Sequence, residues 1–284
     1  MTEGETTRKP SAEPSTTSAA TPGGTARRPV LGVMLRAHCR YRTLDIVLSE
    51  LYRYRREMGI DVRVCAMMDR SPPDVQDLLE QYEGAYPDWF FTLQAPRRQL
   101  DKDGEHFVEG LNFQIEATEA RWGDLEWIYA QDDDRWFSPV QITEELPRAL
   151  ADNSKDAYYC KSLFMWGPAF NTFNTARHHD SILLYRHQAG ARWSGRRILN
   201  IPDALQEQAV IEGRVGTLRT PLLDYGTFRE DERFRVYSAF ALAGKTDDYV
   251  KSIFAPPALL RFPDDYAPHF GEFKDLWKER WGGV

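Results

Sequence analysis

Apolar residues along this chain recur in two periods, and the places where one period gives way to the other mark its elements. The run Val30 to Leu35 is apolar throughout apart from Gly32 and predicts a buried strand. Leu44, Val47, Leu48 and Leu51 then fall at i, i+3, i+4 and i+7, the spacing of a helix face, and Gly59 ends that helix. Asp61 to Asp69 reads as a second strand, Pro72-Pro73-Asp74 opens a second helix that stops near Gly84, and Asp88 to Gln94 reads as a third strand. Phe107, Val108, Leu111 and Ile115 share one face of a further helix that runs to about Arg121 and is closed by Gly123. Leu125 to Gln131 is a fourth strand and stops against three carboxylates, Asp132, Asp133 and Asp134. After them Ser138 and Pro139 look like an N-cap and a proline at the first helical position, with Gln141 placed for a capping box. The triplet is therefore expected in a strand-to-helix loop. Asp156 to Trp166 is a fifth strand, and its alternating polar and apolar residues suit one face opening onto a site.

Strands alternating with helices favour parallel pairing through right-handed crossovers. The expected fold class is α/β, a Rossmann-like, mostly parallel sheet over residues 29–165. Residues 1–28 are rich in Thr, Ser, Pro, Ala and Gly and hold almost no large apolar side chain, so they are expected to form a disordered tail. Residues 166–284 are less regular: a loop rich in Asn, Thr and His, a short strand at 182–186, a basic turn, a helix near 203–211, and a mostly helical C-terminal part. Nothing in them reads as an independent domain.

Composition narrows the function classes. A net charge of −7 argues against a generic polyanion binder, which needs clustered Lys and Arg. Cys39, Cys65 and Cys160 are odd in number and widely spaced, forming neither a metal-binding pair nor a disulfide framework, so a reducing cytoplasm is expected. No stretch approaches the roughly 20 apolar residues of a membrane span, and the first residues lack the apolar region of a signal peptide.

Three adjacent carboxylates repel one another unless water or a cation neutralises them. In open α/β sheets, ligands bind at the carboxyl ends of strands, where this triplet falls. Asp132 and Asp134, at i and i+2, can present two carboxylates on the same side of an extended segment, a grip for a hard divalent ion that clamps a diphosphate. The plainer reading is a solvated acidic turn ahead of a helix. The abutting apolar strand favours the first.

Four pieces in order resemble the GT-A glycosyltransferases, particularly those like family 2. They are the strand and loop at 30–48, the second strand ending in Asp69, the helix at 103–123 with its Gly and Asn112, and the DxD motif at Asp132-Asp133-Asp134. The match covers about residues 29–165 and is looser beyond. The resemblance implies a single GT-A domain with a nucleotide-sugar half at 29–165, and an acceptor half and C-terminal helices at 166–284. It implies a metal-dependent transferase using a nucleotide-diphosphate sugar, expected to be a UDP-sugar, with Mn2+ or Mg2+ on Asp134 and Asp132, the latter also near the donor ribose. Asp69 would read the base, and Arg36, His38 and Arg40 would line the nucleotide pocket with Asn112 and Asp133. Arg98, in the basic loop after the third strand, could meet phosphate, although a solvated loop needs no such role. Many relatives place a third metal ligand, often His, near the C-terminal end; the comparable stretch here offers Asp224.

Asp69 could instead cap the next helix, a role open to Ser71 and Asp74 as well. Sugar transfer also needs a base for the acceptor hydroxyl. Asp180, beside His178 and His179, and Asp203, at a helix start where it could equally be an N-cap, are both candidates. A zinc site at the two histidines lacks further ligands at the right spacing. Arg186, His187, Arg192, Arg196 and Arg197 around Trp193 make a basic loop that is either solvated or part of an acceptor site. Trp166 is a second aromatic candidate. The acceptor could be a glycan, a small molecule, a protein or a modified nucleic acid, and the oligomeric state is left open. Two other readings compete: a sugar nucleotidyltransferase, which would need a Gly-rich loop after the first strand that residues 35–42 lack, and a non-catalytic nucleotide-sugar or glycan-binding protein.

Overall fold

The computed structural model describes residues 27–97, 105–137, 139–165, 172–194, 202, 205, 212–224 and 259–261. In chain order the elements are β1 (Val30–Ala37), α1 (Tyr41–Glu57), β2 (Asp61–Met68), α2 (Pro73–Ala85), β3 (Phe90–Gln94), α3 (Glu105–Arg121), β4 (Trp127–Asp132), β5 (Arg135–Phe137), α4 (Pro139–Ala151), β6 (Ala157–Met165), β7 (Thr172–Arg186), β8 (Val215–Thr217), β9 (Leu222–Asp224) and β10 (Leu259–Arg261). They form an α/β fold on one mostly parallel sheet, with strand order β3-β2-β1-β4-β7-β6-β9-β5. β10 also pairs with β7, and β8 with β6.

Why β1 carries no polar alternation follows from its place in the sheet. Leu31, Val33 and Leu35 face a core that includes α1, α2 and α4, while Val30 and Met34 face a second core built on α3. A strand buried on both faces reads as an unbroken apolar run. α1 buries Leu44, Val47, Leu48 and Leu51 as their spacing predicts, and Gly59 follows it at φ 66°, a left-handed position that glycine adopts at little cost. Gly123 does not lie in that region; the last turn of α3 is extended instead by the Trp122 N–H donating to the Thr118 carbonyl at 2.9 Å. Gln114 pins α3 to the sheet, its buried amide donating to the Leu35 carbonyl at 3.0 Å and the Cys65 carbonyl at 2.8 Å.

The second half differs from the alternation expected of it. The segment expected as a loop before residue 182 is largely strand, because β7 begins at Thr172 and runs to Arg186. β7 lies between β4 and β6 and is antiparallel to both, so β6 does not continue the parallel run of β1 to β4. The triplet is followed not by a loop into a helix but by a turn at Asp133-Asp134 into β5, which the periodicity did not reveal in three residues. The helix expected near 203–211, the helical part expected from Arg229 and the tail at 1–26 lie outside the described residues. No described helix is long and apolar enough to cross a membrane.

Candidate functional site

The sheet brings together residues far apart in the chain because β1 and β4 are parallel neighbours whose last pair in register is Arg36 and Asp132. Their side chains form an ion pair. Past them, the β1–α1 loop and the β4–β5 turn close on each other. The His38 backbone N–H donates to Asp133 Oδ2 at 2.8 Å, and Arg40 Nη1 lies 2.7 Å from Asp133 Oδ1 and 3.2 Å from Asp134 Oδ2. β5 then returns Arg135 against β9, opposite Asp224. Its guanidinium reaches both Asp132 Oδ2, at 3.0 Å, and Asp224 Oδ2, at 3.3 Å.

Asp133, Asp134 and Asp224 are 2%, 5% and 4% exposed, so the triplet is not a solvated acidic turn. Burial pushes the Asp134 carboxyl well above the ordinary aspartate value, and the neighbouring Asp224, Asp133 and Asp132 add to it against the pull of Arg40. Burial works against the charge on Arg40, but Asp134 and Asp133 outweigh it and hold the guanidinium well above its usual value. The same balance, with Asp132 and Asp224 as partners, raises Arg135. Burial lowers His38.

Asp69 closes β2 beside this cluster. Its backbone N–H donates to the Ala37 carbonyl at 3.2 Å, and His38 Nδ1 sits 3.3 Å from its carbonyl and 3.9 Å from its carboxylate. Arg70 follows at φ 52°, a left-handed conformation that costs a non-glycine residue about 1 kcal/mol or more. The N-cap position of α2 belongs to Pro72, not Asp69, and Ser71 donates to the Ala37 carbonyl rather than capping.

Other expected residues fall elsewhere. Asn112 clamps the segment after β7: its Nδ2 donates to the Trp193 carbonyl at 2.9 Å and its Oδ1 accepts the Trp193 N–H at 3.0 Å. Asp180 lies on β7, paired in register with Lys161, and its side chain is outside the description. Arg98, Asp203 and Trp166 lie outside the described residues. His187 and Arg192 of the basic loop are engaged by Glu119 of α3, at 2.9 and 2.6 Å. Arg135 is the unforeseen member of the cluster; its signal in the sequence is a cation placed directly after three anions.

The donor set for a divalent ion can be tested on this geometry. Asp132 and Asp224 would have to converge with Asp134 on one point, yet the Arg135 guanidinium lies between the first two. Arg40 engages one oxygen each of Asp133 and Asp134. Among the described residues no three His, Cys, Asp or Glu side chains form a group able to hold a metal ion. This arrangement does not fit a cation on Asp132, Asp134 and Asp224.

No protein-family model and no curated protein sequence matches the chain. Solved structures do. The mannosyltransferase PcManGT from Pyrobaculum calidifontis, in complex with GDP-Man and Mn2+, aligns over 90% of this chain and 71% of its own at 12% identity, with a TM-score of 0.50. The chain shares the fold of this mannosyltransferase. S. aureus TarS 1-349 in complex with UDP-GlcNAc also aligns, over 88% of this chain and 76% of its own, at 12% identity and a TM-score of 0.45. In this fold, the partly buried arginines and the carboxylates gather at the carboxyl ends of β1, β2 and β4, where open α/β sheets bind ligands.

Proposed function

We propose that the protein transfers a sugar from a nucleotide-diphosphate donor, expected to be a UDP-sugar, to a hydroxyl acceptor that is a glycan, a small molecule, a protein or a modified nucleic acid. The observation that carries this is the meeting of Asp69 with the Arg36, His38, Arg40 and triplet cluster at one end of the sheet, in a fold shared with a mannosyltransferase.

The reaction makes two demands. The departing nucleoside diphosphate gains negative charge, which needs positive charge placed in advance. The acceptor hydroxyl loses a proton, which needs a carboxylate within hydrogen-bond reach. In this reading Asp69 accepts from the donor base, Asp132 from the ribose, and Arg36 and Arg40 face the phosphates. The base comes from the second half, at Asp180 or Asp203. What supports Asp180 is that β7 runs antiparallel to β4 and Asp180 precedes the residues of β7 that pair with it.

Incubating the protein with a panel of nucleotide sugars and separating the products by chromatography tests the reading. Slow release of the nucleoside diphosphate from one donor is expected. Asp69→Ala should weaken binding of that nucleotide about tenfold or more, the worth of one charge-assisted hydrogen bond. Pyrophosphate-dependent formation of nucleoside triphosphate would instead identify a nucleotidyltransferase. Saturable nucleotide binding without turnover of any donor would identify a binding protein.

A further inference from the structure

We infer that this site receives the donor diphosphate without a divalent cation, with Arg36, Arg40 and the amino end of α1 meeting the phosphates. The inference rests on the nucleotide-sugar reading of the same site.

Three observations carry it. First, the place of a bridging cation is filled by an arginine. Arg135 reaches Asp132 at 3.0 Å and Asp224 at 3.3 Å, so the two carboxylates already share one positive charge. A guanidinium is charged at every working pH and holds carboxylates in a fixed fork. A metal entering between them would separate that largely buried guanidinium from its partners, which is unfavourable.

Second, the neighbouring arginines have donors left over. Arg36 engages Asp132 through Nη2, and Arg40 engages Asp133 and Asp134 through Nη1. Their Nε atoms are buried and have no hydrogen-bond partner among the described residues. These two guanidinium donors, one near the end of β1 and one in the loop after it, suit an acceptor-rich ligand. Phosphate oxygens accept from guanidinium groups in pairs. Arg36 is kept in place by its guanidinium lying 4.8 Å from the centroid of the Phe107 ring.

Third, α1 begins at Tyr41, immediately after this loop. Its N-cap residue is Arg40, which makes no side-chain cap, and its first turn holds no acidic residue. The partial positive charge of a 17-residue helix therefore meets the site without an anion from the helix's own first turn. Helix end and guanidinium groups lie at the same end of the sheet, where both favour an anion.

The test is calorimetric titration of the full chain with UDP and with GDP, once in EDTA and once in excess Mn2+, alongside titration of Mn2+ alone followed by its electron paramagnetic resonance signal. Dissociation constants within about threefold of each other in the two buffers, and no saturable Mn2+ binding, are expected. Binding that weakens about tenfold or more in EDTA and returns with Mn2+ overturns the inference while leaving the nucleotide-sugar reading intact. No binding of either nucleotide in either buffer overturns both. Arg40→Ala should lose nucleotide affinity equally with and without Mn2+. Because that variant leaves buried carboxylates unpaired and can fail to fold, Arg36→Lys provides the second arm: it keeps the charge but removes the fork. A folded Arg36→Lys protein that binds like wild type overturns the inference.

Discussion

Arg135 shows how much one side chain contributes at this site. It stands beside the triplet in sequence, but its work is to join Asp132 at the end of β4 to Asp224 on β9. Arg135→Met would take this cation from the buried Asp224 while Asp132 kept Arg36, and stability to urea should fall by about 3 kcal/mol. Arg135→Lys should recover part of that loss, since it restores the charge without the two-sided reach. Gly216 makes the opposite point, that a missing side chain can be required. A Cβ there would lie 2.5 Å from Cε1 of Tyr158, whose hydroxyl is anchored to the Ala149 carbonyl at 3.2 Å. Gly216→Ala should cost about 1–3 kcal/mol of unfolding free energy, the usual range for overpacking a ring held on both sides.

At the scale of elements, β1, α1, β2, α2, β3, α3 and β4 were legible in the sequence because each is specified by its own residues. The apolar run of β1 and the four leucine and valine positions of α1 need no knowledge of the rest of the chain. β5 was not legible, since three residues carry too little pattern, and the start of β7 was hidden by Asn, Thr and His residues that suit a loop equally well. The segment after β7 is shaped by α3. Glu119 accepts from His187 at 2.9 Å, the Gly190 N–H at 3.1 Å and Arg192 at 2.6 Å, while Asn112 holds Trp193. Burial pushes the Glu119 carboxyl up, but its bonds to Arg192 and His187 outweigh this and leave it lowered. A carboxyl with a lowered folded value stabilises the fold above its unfolded value, about 4.3, and loses that contribution as pH falls through the folded value. Glu119→Gln should therefore cost about 1–2 kcal/mol near pH 7, and the gap from wild type should close below about pH 4 in chemical denaturation curves.

Across the whole molecule, the three cysteines report on how tightly the two cores are closed. Cys39, Cys65 and Cys160 are all buried and unbridged, and burial pushes the Cys65 and Cys160 thiols up to about 12. A thiol-specific reagent at pH 8 should label Cys65 and Cys160 only as fast as the fold opens, and all three cysteines at once in denaturant. Rapid labelling of Cys65 in the native protein would contradict the sheet order that buries β2 between β1 and β3. The sequence by itself determined the alternation of strands and helices up to β4 and the position of the carboxylates at the end of a strand, because periodicity and chain order are local properties. Only the tertiary structure decided that β7 lies between β4 and β6. It alone decided that Arg36, Arg40 and Arg135 pair with Asp132, Asp133, Asp134 and Asp224. Those pairings join residues from β1, β4, β5 and β9, and which charges meet across a sheet depends on strand order and register, which no window of the sequence contains.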